Sequence, residues 1–305
     1  MVQLRRLDPL ANSGPYQRLL KSPVKSFTLS EAQYERVKAA RPELIVSEGE
    51  AALVGRPYCD RLEIHYGFPE PAAFQEHFRE MANRLLAASS KAEAPRGVLL
   101  SFRDRPNRSL AETTFWSLAM EQGQEWVEMS YVAVPELPEP DDSGGEGFGL
   151  RELTDADREA VAAIEAEVSG APRLSPAGLA SLTEDASLFR VVLAADVPIG
   201  FLRLQKEPGG WGVVEELALR PAAAEALRRP LTEWSIAWLR NNGSRRLRRQ
   251  VGIDAGVDLA LLRQLGFTPG ESGLNFGRPV DASEIETKIT ERKAHGTVIR
   301  FGDWH

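Results

Sequence analysis

The sequence has little cysteine and little histidine, and it has no long apolar run. Its 305 residues include a single cysteine, Cys59, so neither an internal disulfide nor a cysteine-rich metal site is expected. The four histidines lie far apart in the chain and lack the spacing of zinc ligands: His65, His77, His295 and His305. No stretch reaches the ~18 consecutive apolar residues that a membrane-spanning helix needs. We therefore expect a protein without a metal site and without a membrane span.

Positive charge is also in short supply. The formal net charge is −7, which argues against a general affinity for nucleic acid or for an anionic membrane. The one basic run, Arg245–Arg249, is better explained as an exposed strand edge that resists aggregation than as a phosphate or nucleic-acid patch. The first residues, Met1–Asn12, carry charges and no apolar core, so we predict no signal peptide and a cytoplasmic location.

The chain does contain enough apolar sequence for two domains. Hydrophobic residues make up 43% and charged residues 27%, and the length suits two domains of about 150 residues each. Proline, glycine and acidic residues are concentrated in Pro135–Gly149, a composition typical of a linker. We therefore predict domains at 1–135 and 148–280, a linker at 136–147, and a tail at 281–305.

The second half alternates strand and helix patterns. Apolar residues at helical spacing predict a helix that begins near Pro230 and a second helix that closes at Gly266. Apolar runs predict strands at Ser187–Ala195, Pro198–Gln205, Gly212–Leu219 and Arg246–Ile253.

The first half repeats part of this order. An offset of about 150 residues superimposes Glu63 on Glu215. The predicted fold is therefore of the α/β class, an α+β arrangement with a mixed sheet, in two tandem units of which the first lacks its opening strand. In the tail, Ala282–Lys293 has a polar helical pattern and Thr297–Phe301 a strand pattern. We expect this strand to pack on the first domain and replace the missing one.

Two segments carry a resemblance to a known family. The strand that ends in Glu215–Pro221 resembles the L-A-V-x-P strand of the GNAT acetyltransferase superfamily, and Leu261–Phe267 resembles its L-Y-E-K-L-G-F motif. The resemblance covers Phe148–Val280 well and Leu29–Val134 weakly. It implies that the central strand separates from its neighbour and that its free backbone groups bind the pantetheine arm of acetyl-CoA. Those groups would belong to Leu217, Ala218 and Leu219.

The resemblance further implies a glycine-rich loop that binds the pyrophosphate of acetyl-CoA. Glycine lets the backbone approach the phosphates, and the helix that follows favours negative charge. Here the segment Ala222–Pro230 has no glycine, and the best alignment places Ala226 and Arg228 at the last two glycine positions. Arg228 and Arg229 would then bind the phosphates with their side chains. The alternative is that both are solvated residues in the first turn of a helix.

The resemblance also implies a glutamate base on the central strand and a tyrosine acid. Glu215 and Glu216 are the candidate bases, and strand alternation predicts that they face opposite sides of the sheet. The alternative is that they form salt bridges with Arg203 or Arg249. Leu262 stands at the tyrosine position, so the usual acid is missing.

These observations leave three hypotheses open. The first is an acyl-CoA-dependent N-acyltransferase that uses acetyl-CoA as co-substrate, acts on an amine of a small molecule or protein, and forms a homodimer. The second is a non-catalytic GNAT-like binding or scaffold protein that has lost the pyrophosphate loop. The third is an enzyme that uses another acyl donor, such as an aminoacyl group. We favour the first, because family resemblance is a better guide than one altered motif, although fold alone does not establish function.

Overall fold

The structure is a computed structural model. It describes residues 14–26, 29–89, 97–102, 108–118, 120–132, 140, 147–170, 172–184, 186–207 and 209–279. The helix and strand predicted for the tail lie outside these residues. No helix in the described ranges is both long enough and apolar enough to cross a membrane.

The described chain forms helices and strands in alternation. The helices are α1 (Pro15–Lys21), α2 (Glu31–Ala40), α3 (Pro71–Ser89), α4 (Arg108–Ser117), α5 (Arg158–Ser169), α6 (Pro176–Glu184), α7 (Pro221–Asn241) and α8 (Gly256–Gln264). The strands are β1 (Val24–Lys25), β2 (Ile45–Glu48), β3 (Ala51–Tyr58), β4 (Arg61–Phe68), β5 (Gly97–Phe102), β6 (Glu121–Val132), β7 (Gly149–Arg151), β8 (Leu188–Ala194), β9 (Val197–Glu207), β10 (Trp211–Leu219), β11 (Arg246–Gly252) and β12 (Thr268–Pro279).

Contacts within the chain divide it into two compact units that differ from the predicted domains. Unit 1 comprises Met1–Pro57, Arg61–Gly123 and Leu274–His305, and unit 2 comprises Tyr58–Asp60 and Gln124–Gly273. The predicted boundaries, 1–135 and 148–280, assigned the last strand of each half to its own half. The difference arises because β6 pairs with β11 in unit 2 and β12 pairs with β5 in unit 1.

The sheet of unit 1 takes its final strand from the end of the sequence. Strands β2, β3, β4 and β5 are neighbours in that order, and β12 pairs antiparallel with β5 from Leu274, opposite Phe102, to Pro279, opposite Gly97. Phe276 of β12 contacts Phe115 of α4, with ring centroids 5.0 Å apart. Burial of Phe276 in an aromatic core therefore holds this strand in unit 1. The other aromatic members of that core are Tyr66, Phe68, Phe74 and Phe78.

Unit 2 has the strand order β6-β11-β10-β9-β8-β7. Strand β6, which lies in the first half of the sequence, pairs antiparallel with β11 from Trp126, opposite Gly252, to Val132, opposite Arg246. Both units therefore have the same arrangement, in which a parallel strand pair is followed by an antiparallel strand from the other half of the sequence. The mixed α/β fold predicted from the sequence is confirmed.

The basic run Arg245–Arg249 does not form a strand edge, because β11 lies between β10 and β6. Arg248 forms ion pairs with Glu207, at 2.6 Å, and with Glu128, at 3.5 Å. Arg246 lies over the ring of Trp211, 4.6 Å from its centroid. These arginines thus contact acidic and aromatic side chains of the same unit. The prediction that the run forms an exposed strand edge was wrong.

Helices cover both faces of the unit 2 sheet. One core packs β10 residues Val214 and Leu219 against Leu231 and Trp234 of α7. The core on the opposite face packs Ala218 of β10 with residues of α5 and α6, among them Val161, Ile164, Leu179 and Leu182. The core in which a β10 side chain is buried shows the face of the sheet to which that side chain points.

Candidate functional site

The central strand of unit 2 separates from its parallel neighbour. The parallel register between β10 and β11 covers only Trp211–Val213, whereas the antiparallel register with β9 continues to Leu219. In the part of the chain that the structure describes, Val214–Leu219 therefore has no strand paired on the β11 side. We call Val214–Leu219 the open segment. It contains Leu217, Ala218 and Leu219, the residues that the resemblance places beside a pantetheine arm, and this cofactor role stays a prediction.

A β-bulge lies within the open segment. Val214 is opposite Leu204 and Glu216 is opposite Arg203, so Glu215 is an extra residue on β10. A bulge changes the alternation of side chains, and Ala218 accordingly lies in the core of α5 and α6 while Val214 lies in the core of α7. The prediction that Glu215 and Glu216 face opposite sides was therefore wrong, because the bulge brings both carboxylates beside Arg203.

Arg203 is the cationic centre of this site. Its side chain is buried, and Nη2 lies 2.7 Å from Oε2 of Glu215. Nη1 donates a hydrogen bond to the carbonyl oxygen of Leu182 at 3.4 Å. The guanidinium carbon lies 5.1 Å from the centroid of the Tyr58 ring. The alternative that a candidate glutamate pairs with Arg203 is therefore confirmed for Glu215.

Glu216 is the titratable carboxyl of the site. Burial raises the pKa of Glu216 to about 7; Arg203 lowers it, and the negative charges of Glu165 and Glu215 raise it further. A carboxyl with a pKa near neutrality can accept a proton and release it again at physiological pH, as a general base must.

The turn that carries Tyr58 is fixed by α6 within unit 2. Cys59 and Asp60 adopt positive φ angles of 48° and 58°. The Cys59 N–H donates to Oγ of Ser181 at 2.8 Å, and the Ser175 N–H donates to Oδ2 of Asp60 at 2.6 Å. These bonds hold Tyr58 beside Arg203. Sequence reasoning missed Tyr58, because it lies far along the chain from the residues that it contacts.

The segment expected to form a pyrophosphate loop is helical. Helix α7 begins at Pro221 rather than near Pro230, and Arg220 alone separates it from β10. The segment is glycine-free and alanine-rich, a composition that favours helix over an irregular loop. Ala226, Arg228 and Arg229 therefore lie within the helix and not in a loop or first turn.

The two candidate phosphate-binding arginines already have partners. Arg228 forms an ion pair with Asp258 of α8, and Asp258 also lies 3.4 Å from Nη2 of Arg249. Arg229 donates hydrogen bonds to Glu233, at 3.3 Å, and to Gln264. Their phosphate-binding role stays a prediction, and any phosphate would compete with these carboxylates.

The position at which the family has its tyrosine acid carries no hydroxyl in this chain. Leu262, at the family's tyrosine position, is fully buried in an apolar core with Phe267. Among the described residues, no group of three or more His, Cys, Asp or Glu side chains has the arrangement needed to hold a metal ion.

Unit 1 contains the same separation of strands, but its own chain fills it. The parallel register between β4 and β5 covers only Arg61–Glu63. Beyond it, β1 pairs antiparallel with Gly67 and Phe68 of β4, and the Ser26 N–H donates to the Tyr66 carbonyl at 3.1 Å. Because β3 pairs with the other edge of β4, β1 lies on the side from which β5 departs. We call Ile64–Phe68 the covered segment.

Close packing of α1 reinforces this cover. A Cβ added at Gly67 would lie 2.7 Å from the Arg18 carbonyl oxygen and 2.9 Å from the Leu19 Cα. The covered segment contains no carboxylate, and Glu63, which precedes it, pairs with Arg56 at 3.0 Å. Among its described residues, unit 1 thus shows neither the open strand edge nor the adjacent glutamates of unit 2.

Solved structures with a similar fold include acetyltransferases. The GCN5-related N-acetyltransferase of Sphaerobacter thermophilus is 16% identical, with a TM-score of 0.51 over 75% of this chain and 76% of that one. A GNAT-family protein of Novosphingobium aromaticivorans is 15% identical, with a TM-score of 0.50 over 80% of this chain and 95% of that one. No protein-family model matches the sequence, and no curated protein matches it. The chain has the fold of the GNAT N-acetyltransferases.

Proposed function

We propose that unit 2 is an N-acyltransferase that moves an acyl group from a thioester, such as acetyl-CoA, to an amine. The observation that carries this proposal is the position of Glu216 on the open segment, in a sheet with the GNAT fold. A strand edge without a partner can hydrogen-bond an extended ligand as an added strand would. The same segment therefore supplies a place for the donor and a proton acceptor.

The charges of the site suit a cationic amine. Glu215 pairs with Arg203, and Glu216 lies within electrostatic range of Arg203, Glu165 and Glu215, so these three carboxylates outnumber the guanidinium of Arg203 when they are ionised. Glu216 accepts a proton from the ammonium group, and the free amine attacks the thioester carbonyl. A C–N bond forms, the C–S bond breaks, and the nitrogen releases its second proton to solvent. The thiolate takes a proton from solvent, because Leu262, at the tyrosine position of the family, has none to give.

Thiol release from acetyl-CoA in the presence of a panel of primary amines tests this proposal. Glu216→Gln should lower the rate by at least about 100-fold, the usual contribution of a general base. Glu225→Gln is the matched control, because Glu225 is an exposed carboxylate on α7 and its replacement should leave the rate unchanged. Equal rates for wild type and Glu216→Gln would contradict the proposal.

A second candidate function is a non-catalytic GNAT-like binding protein. The helical start of α7 and the buried Leu262 favour it, because both remove parts that the family resemblance implies. Binding of acetyl-CoA without thiol release for any amine would support this candidate, whereas release that depends on Glu216 would eliminate it.

A further inference from the structure

The connection between β10 and α7 determines which part of an acyl donor unit 2 can recognise. A pyrophosphate cradle needs consecutive backbone N–H groups that point to the ligand. Here Pro221 has no N–H, and the N–H groups of Ala223 and Ala224 both point to the Arg220 carbonyl, at 2.9 and 3.1 Å. Further along, N–H groups inside a helix donate to carbonyls of the preceding turn. From Ala223 onward, the backbone N–H groups of this segment are therefore committed to the helix.

The side chains of the same segment are committed as well. Arg220 lies 2.8 Å from Glu167, Arg228 pairs with Asp258, and Arg229 bonds Glu233 and Gln264. A doubly charged pyrophosphate would have to displace carboxylates from these arginines, so it would add little to the free energy of donor binding.

The open segment, in contrast, offers what an acylated arm needs. Val214–Leu219 spans roughly 20 Å of extended backbone at about 3.3 Å per residue. A pantetheine arm is an extended chain with two amide groups, and these can pair with the free edge of a strand. Glu216 lies on this same segment.

We propose that unit 2 recognises its acyl donor through the pantetheine thioester arm alone and gains nothing from the nucleotide of coenzyme A. The inference rests on the proposed acyltransferase function. The donor class is an acyl thioester of a pantetheine arm, whether the arm is free, part of coenzyme A or attached to a carrier protein.

The test compares acetyl-CoA with S-acetyl-pantetheine as donors to the same amine. The kcat/KM values should agree within about threefold, and adenosine 3′,5′-diphosphate, the nucleotide part of coenzyme A, should not inhibit either reaction. A single charge-assisted hydrogen bond to the pyrophosphate would favour acetyl-CoA by about tenfold or more. A preference above that level, lost in Arg228→Ala/Arg229→Ala, would overturn the inference and leave the acyltransferase function intact.

Two further results complete the test. An acetylated acyl carrier protein used as a third donor identifies the source of the arm, because faster turnover than with S-acetyl-pantetheine indicates a protein-borne arm and slower turnover a small thioester. If none of the three donors is bound or consumed, the proposed function itself fails, and the inference fails with it.

Discussion

Strands β4 and β10 begin alike and end differently. Each pairs in parallel with its neighbour over a short first stretch, Arg61–Glu63 in unit 1 and Trp211–Val213 in unit 2, and then separates from it. In unit 1, β1 pairs along the edge that separation exposes. In unit 2, the described chain leaves Val214–Leu219 without such a partner. One backbone arrangement thus serves as a packing surface in one unit and as a candidate binding site in the other.

The side chains of the covered segment and of the open segment also differ. The covered segment buries Tyr66 and Phe68 in an aromatic core. The open segment carries Glu215 and Glu216 beside Arg203. Buried charge costs stability, and the covered segment of unit 1 contains no carboxylate.

The largest expected difference between the units is in catalysis. Glu216→Gln in the open segment should lower kcat/KM by at least about 100-fold, whereas Glu63→Gln in β4 should change it less than about twofold. In the wild type, kcat/KM should rise with pH through the pKa of Glu216, about 7, since only the ionised carboxylate accepts a proton. A rate–pH profile measured for all three proteins checks this. A large loss in Glu63→Gln would assign the chemistry to unit 1.

The next effect is on the pH dependence of stability. Burial raises the pKa of Glu216 from 4.5 to about 7, so the unfolded chain ionises first as the pH rises. The contribution of Glu216 to the free energy of unfolding is therefore highest below pH 4.5, falls between pH 4.5 and about 7, and is lower by a constant amount above that. The loss should be on the order of 3 kcal/mol.

Denaturant unfolding of wild type and Glu216→Gln across this pH range measures the effect. The difference in unfolding free energy between the two proteins should change with pH as described. A pH-independent difference for Glu216→Gln would mean that this carboxyl is not held in the protonated form.

A smaller effect tests whether α1 packs closely on β4 in unit 1. Gly67→Ala places a Cβ against the α1 backbone, and overpacking of this kind costs about 1–3 kcal/mol. Gly14→Ala is the control, since a Cβ at Gly14 meets no atom within 4 Å. Thermal unfolding should show a lower Tm for Gly67→Ala alone. An unchanged Tm would mean that α1 does not pack closely on β4.

The sequence predicted the elements of this fold better than their pairing. Apolar runs such as Gly212–Leu219 and the helix that closes at Gly266 correspond to β10 and α8, because hydrophobic periodicity is a local property of the chain. The sequence did not predict that β6 pairs with β11 and β12 with β5, because a strand pattern does not specify which neighbour the strand pairs with.

The site was predicted only in part, because its geometry also depends on how the strands pair. The resemblance identified the strand that carries Glu215 and Glu216, but the bulge that sets their direction depends on the register with β9, which no local pattern encodes. The start of α7 was misplaced for a different reason. The alignment assumed a loop before Pro230, although a glycine-free, alanine-rich segment favours helix from Pro221 onward.

Hydrogen–deuterium exchange with and without S-acetyl-pantetheine tests the central claim most directly, because it reports on both strands in one experiment. Amides protected by pairing with a ligand exchange more slowly than free ones. The account predicts slower exchange in Val214–Leu219 when the thioester is present, and unchanged exchange in Ile64–Phe68. Protection in Ile64–Phe68 instead, or no change in Val214–Leu219 at a saturating thioester concentration, would contradict it.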